Sequence, residues 1–164
     1  MTDLKSTCLD IFENFKQNGN KWEEVHEEGA QLLSRWAKKA VVEETVFSLK
    51  LVLEKFRKLL HSMHHDKHRL LTVLSSLPTE SAELAVDHGA DRKYPSIVDI
   101  LDFMSIYLEM YENECLLQET VIASVNDTEP TQQRVDSLVA LWKSQSYINS
   151  RKIEYIEDRM SLLY

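Results

Sequence analysis

Glycine and proline are scarce, three of each in 164 residues, far below average usage, and folds that depend on many tight turns between short strands are thereby excluded. Gly19, Gly29 and Gly89 are followed by Asn20, Ala30 and Ala90, so neither a Gly-Lys-Ser/Thr phosphate loop nor a Gly-x-Gly dinucleotide fingerprint can be written. Basic residues are in deficit, 19 Lys and Arg against 27 Asp and Glu, for a net charge of −8. Direct nucleic-acid binding, which needs a basic face to neutralise phosphates, is disfavoured. No apolar window approaches the length of a membrane span, and Met1 to Leu9 contains Asp3 and Lys5 with no apolar signal region. The expected setting is cytosolic or nuclear. Cys8 and Cys115, the two cysteines, both fall inside apolar periods and are expected to be buried, reduced thiols.

What the chain has is helical periodicity. Leu4, Cys8, Ile11, Phe15, Asn18, Trp22, Val25, Gly29, Leu32 and Trp36 recur at alternating steps of four and three, an unbroken heptad seam for one helix over about residues 3–41. A second seam, Val46, Leu49, Leu53, Phe56, Leu60, Met63, Lys67, Leu70, Leu74 and Leu77, marks a helix over 43–77, and Val52, Leu59 and Leu71 widen its stripe. Pro78 ends it and a flexible loop is expected over 78–94. Pro95-Ser96 opens a helix over 96–126, with Ser96 as N-cap and Asp99 in a capping-box position. Its seam is Ile97, Leu101, Met104, Leu108, Tyr111, Cys115, Gln118, Ile122 and Val125. A fourth helix over 131–144 would bury Val135, Leu138, Val139 and Trp142. The pattern then loses register, and a last helix over 147–163 carries the stripe Ile153, Ile156, Met160 and Leu163. These levels select a single all-α domain, an antiparallel bundle of about four long amphipathic helices with coiled-coil-like seams and a C-terminal helix free to project from it.

Few residues offer chemistry. His61, His64, His65 and His68 form two i,i+4 pairs that could share a metal ion, yet the seam turns most of them outward and no further ligand is delivered, so no metal or cofactor is expected. The paired carboxylates Glu23-Glu24, Glu27-Glu28, Glu43-Glu44 and Glu112/Glu114 read as solvated faces. A di-iron bundle needs two inward Glu-x-x-His pairs, and the first helix has one, Glu23-x-x-His26. With no nucleophile beside a base, the chain reads as a non-enzyme. Function then falls to contacts with other proteins, for which the segment containing Tyr147, Arg151, Ile153, Ile156, Arg159, Met160 and Leu163 is the best candidate, since its stripe looks for a partner and its Arg151, Lys152 and Arg159 are basic in an acidic chain. A His-cluster metal protein and a self-associating coiled coil are the residue-based alternatives.

Pro95-Ser96-Ile97-Val98-Asp99-Ile100-Leu101-Asp102-Phe103 resembles the signature of the AIRIM ribosome maturation factors; Trp22 with Leu32-Leu33-Ser34, and Trp142 after a short interhelical turn, are similar to that family's other helices. The sister family of cyclin-dependent kinase 2-interacting proteins is similar in Leu108-Glu109-Met110-Tyr111, Leu116-Leu117, Leu138 to Trp142 and Tyr147-Ile148. The first resemblance implies a noncatalytic adaptor that pairs with a protein like the kinase-interacting sister and with an AAA+ ATPase of the spermatogenesis-associated type, and through them reaches the preribosomal large-subunit particle in the cytoplasm. It also implies a link to replication; the sister family implies an adaptor in replication and its checkpoint.

Overall fold

The computed structural model describes residues 2–39, 42–79, 93–126 and 131–164. Among them are five helices, α1 (Thr2–Lys39), α2 (Val42–Ser75), α3 (Ile97–Asn126), α4 (Gln132–Ser144) and α5 (Ser150–Ser161), and no strand. The protein is an all-α bundle. Most of the loop expected over 78–94 lies outside the described residues.

The helix ends follow from local chemistry. At the start of α3 the Ser96 N–H donates to Asp99 Oδ2 at 2.7 Å and the Asp99 N–H donates to Ser96 Oγ at 3.1 Å, a reciprocal capping box that the shorter Asp closes as well as the usual Glu. Thr131 caps α4 by accepting the Arg134 N–H at 3.3 Å, and Asn149 caps α5 by accepting the Lys152 N–H at 3.1 Å. Between them Gln145 ends α4 in the left-handed region, at φ 44° and ψ 53°. That is an uncommon conformation for a residue with a Cβ. The Ile148 N–H then bonds the Gln145 carbonyl at 3.0 Å and closes the turn. On α1, helical hydrogen bonding continues through the seam defect Asn18, whose buried amide donates to the carbonyls of Asn14 and Phe15 at 3.0 and 3.4 Å.

The chain packs as two compact units. Unit 1 comprises Met1–Asn18, Ser62–Glu109 and Asn149–Tyr164; unit 2 comprises Gly19–His61 and Met110–Ile148. Each draws on segments of α1, α2 and α3, with α5 as the fourth helix of unit 1 and α4 as the fourth of unit 2.

In unit 1 the fully buried side chains include Ile11, Phe12, Phe15, Met63, Leu70, Met104 and Ile156. Phe12 stacks on Phe15 at 6.2 Å between ring centres, and Phe15 meets Tyr107 edge-on at 5.8 Å. Helix α5 does not project. Ile156 and Met160 are buried in this core, Lys16 pairs with Glu157 at 3.4 Å, Tyr155 meets Phe103 edge-on at 6.3 Å, and the Tyr164 hydroxyl donates to Glu13. The expectation of a projecting helix read a loss of register as a loss of packing. A turn at 145–149 allows a new helix to begin in its own register and still present its apolar stripe inward.

In unit 2, Trp22 is fully buried and contacts the rings of Phe56 at 4.3 Å and Tyr111 at 4.7 Å. Trp142, also fully buried, lies 6.1 Å from Phe56 and directly over Gly29, where an added Cβ would sit 2.2 Å from its ring. Glycine is there because two elements approach too closely for any side chain. Helix α4 runs opposite to α1, since Glu23 meets Gln145 while Gly29 meets Trp142. On the outside, Lys55 pairs with Glu28 at 2.7 Å, and Arg57 bridges Glu54 and Glu119.

Candidate interaction site

The C-terminal residues singled out from the sequence divide sharply by exposure. Tyr147 is 49 % exposed and Arg151 is exposed; Ile153, Arg159 and Leu163 are half-buried; Ile156 and Met160 are buried in unit 1. Ile156 and Met160 therefore serve the chain's own core and are not available to another protein. Helix α5 and the C-terminus present Tyr155, Leu162 and Tyr164 instead, with exposures of 59, 39 and 72 %. Burial and the contact with Glu13 push the Tyr164 phenol up to about 12, so it remains a donor at neutral pH.

Tyr147 is displayed by a turn that polar side chains of unit 2 hold in place. Glu114 of α3 is fully buried, and its Oε2 accepts the Tyr147 backbone N–H at 3.0 Å. On α1, His26 Nε2 lies 2.9 Å from the Trp142 carbonyl, which can only accept, so Nε2 carries the proton and Nδ1 accepts from the Gln145 amide at 3.1 Å. The same amide donates to Glu23 Oε2 at 3.0 Å, and the Trp142 indole N–H returns a bond to the His26 carbonyl at 3.1 Å. Glu23 and His26, the spacing that suggested half of a di-iron site, act as a clasp on the end of α4.

Glu114, fully buried, is an exception to the reading of the acidic pairs as solvated faces. The one-seam description of α3 placed it beside the core, but the buried positions Met110, Glu114, Gln118, Val121 and Val125 form a second stripe next to Tyr111, Cys115 and Ile122. Burial pushes the Glu114 carboxyl above the usual carboxylate range, against the opposing pull of the Tyr147 N–H. Among the described residues its Oε1 has no hydrogen-bond partner, nor has either polar atom of the buried Gln118 amide one turn on.

The histidines singled out from the sequence do not converge. His61, His64, His65 and His68 are all exposed on α2, and among the described residues no group of three or more His, Cys, Asp or Glu could hold a metal ion. Cys8 and Cys115 are buried and unpaired; burial raises both thiols, Cys115 to about 11, which leaves them poor nucleophiles. In unit 2 a cleft of about 340 Å³ between α2 and α3 is lined by Val46, Leu53, Ile122 and Ala123, and its charged rim residues Arg57 and Glu119 bond each other. Beside it, Phe47 and Leu51 are 65 and 52 % exposed, one turn apart on α2, and Leu116 of α3 is 60 % exposed. None of the three fits a heptad seam, so periodicity did not single them out for contact; the signal was in the large apolar residues off the seams.

A helical bundle whose large unburied side chains stand on its surface, with no convergent catalytic groups among the described residues, is the class of protein these features define. Residues 35–162, well over half of the chain, match the family described as "Ribosome biogenesis protein C1orf109-like", and the chain belongs to that family. It is the AIRIM family to which Pro95–Phe103 pointed. No curated protein matches the chain significantly. As a member of this family the chain is a ribosome biogenesis protein.

Proposed function

We propose that the protein is a noncatalytic adaptor of ribosome biogenesis, pairing with a second helical protein similar to the cyclin-dependent kinase 2-interacting proteins and with an AAA+ ATPase of the spermatogenesis-associated type. In this reading it acts on cytoplasmic precursors of the large ribosomal subunit through those partners, without touching nucleic acid, and is found in cytoplasm and nucleus. Membership of a ribosome biogenesis family is the observation that carries it. The exposed Phe47, Leu51 and Leu116 of unit 2, the exposed Tyr147, and the thiols withdrawn by burial all support contact over chemistry.

The test is affinity purification of the tagged protein at native level, with and without a nonhydrolysable ATP analogue, read by mass spectrometry. Recovery of an AAA+ ATPase together with a second small helical protein is expected. Recovery of the protein alone, or bearing stoichiometric metal, would overturn the reading.

A further inference from the structure

Native proteins leave few buried polar atoms unpaired, and each one calls for a reason. Among the described residues of unit 2 the buried indole N–H groups of Trp22 and Trp36 stand unpaired singly, whereas three unpaired atoms fall on successive turns of α3, at Glu114 and Gln118, both fully buried. The bonded oxygen of Glu114 holds the turn that displays Tyr147, and that turn begins at Gln145, a residue with a Cβ held at φ 44°. Its side-chain bonds to Glu23 and His26, the Ile148 N–H on its carbonyl and the Tyr147 N–H on Glu114 together offset the conformational cost. A strained hinge, a few polar attachments and a buried ionisable group with one bare oxygen are the parts of a device with two states.

We propose that residues 145–148 form a latch over Glu114, closed while that carboxyl keeps its proton and opened by its ionisation, so that the display of Tyr147 is under proton control. The protonated acid accepts the Tyr147 N–H through its carbonyl oxygen and stays buried. The carboxylate needs water on Oε1, and the turn is the part of unit 2 that yields to admit it, since the turn is attached through side chains whereas α3 is held by its core packing. The facing titratable groups are His26 and Glu23 on α1 and the exposed phenol of Tyr147 itself; Lys143 on α4 is exposed, and α2 and α4 contribute the apolar Phe56 and the indole of Trp142 to this unit. Glu23 reinforces the effect, and burial is its largest cause. The latch does not depend on the adaptor reading, and its test involves no partner.

The experiment is amide hydrogen exchange on the full chain between pH 5 and pH 8, each rate divided by its intrinsic rate, for wild type and Glu114→Gln. The Tyr147 amide of the wild type should lose protection by about tenfold or more across this range, the factor that corresponds to one pKa unit of coupling. Val121, in the core of α3, should keep its protection. In Glu114→Gln, which still accepts the N–H but cannot ionise, Tyr147 should stay protected throughout. A flat Tyr147 profile in the wild type overturns the latch, as does a loss shared equally by Val121, which would mean general unfolding. Equal pH dependence in Glu114→Gln assigns the effect to another group and also overturns it. The wild-type profile decides the matter alone should the variant not fold.

Discussion

Replacing a mid-helix glycine with alanine on a solvated face stabilises a protein by about 1 kcal/mol, because alanine is the better helix former. Gly29→Ala should do the reverse. The added Cβ would stand 2.2 Å from Trp142 Cζ2 and 2.8 Å from Cε2, whereas ordinary carbon contacts lie near 3.5–4.0 Å. The indole cannot slide aside freely: it is fully buried, its N–H bonds the His26 carbonyl at 3.1 Å, and the Trp142 carbonyl takes the His26 ring N–H at 2.9 Å. Overpacking costs about 1–3 kcal/mol and two strained hydrogen bonds about 1 kcal/mol each. After the helix-propensity gain the net loss should be roughly 2–4 kcal/mol. Gly19→Ala is the control. There the Cβ meets only the far end of Tyr111, with its hydroxyl oxygen at 3.0 Å, and the net effect should stay within about 1 kcal/mol. Urea unfolding followed by tryptophan fluorescence gives both values. A Gly29→Ala protein as stable as the wild type, or more so, would refute the close approach of α4 to α1.

Three other outcomes are expected. Glu114 is held above the usual carboxylate range, so the stability it contributes is present at acid pH and lost as pH rises through its folded-state value; Glu114→Gln should therefore be more stable than wild type at pH 7, by roughly 1–3 kcal/mol, and the gap should close near pH 4 in paired urea titrations. Cys8 and Cys115 should resist a thiol reagent in the native protein at pH 8 and both react in urea; fast native labelling would contradict their burial. Ile156→Ala should cost about 2–5 kcal/mol by urea unfolding, whereas Tyr155→Ala, next to it but exposed, should cost under about 1.5 kcal/mol; equal costs would contradict the packing of α5.

The legible part of this molecule is whatever repeats. Seam positions such as Phe15, Trp22, Phe56, Met63, Met104 and Trp142 are buried because a helix with one neighbour or several must turn the same stripe inward. The capping box at Ser96 and the break after Ser144 were legible because they rest on local residue chemistry. The latch was not. Glu114 lies one position off the seam of α3, and only packing on a second side buries it; a single heptad series has no term for that. Asp66 is the same case on α2: buried where the seam nominated Lys67, it is bonded by Arg69 at 3.2 Å. Exposure of Leu71 at 42 %, where a wider stripe was expected, shows the opposite error, since an apolar residue beside a seam need not have a neighbour to cover it.

The proposed role is in making the large ribosomal subunit through contact and without chemistry. It is tested most directly by depleting the protein from its own cells and separating ribosomal particles on sucrose gradients, with rescue by wild-type protein. Depletion should give a shortage of mature large subunits and cytoplasmic precursors that retain a maturation factor, both reversed by the wild type. Unchanged large-subunit levels and factor-free particles after depletion would contradict it.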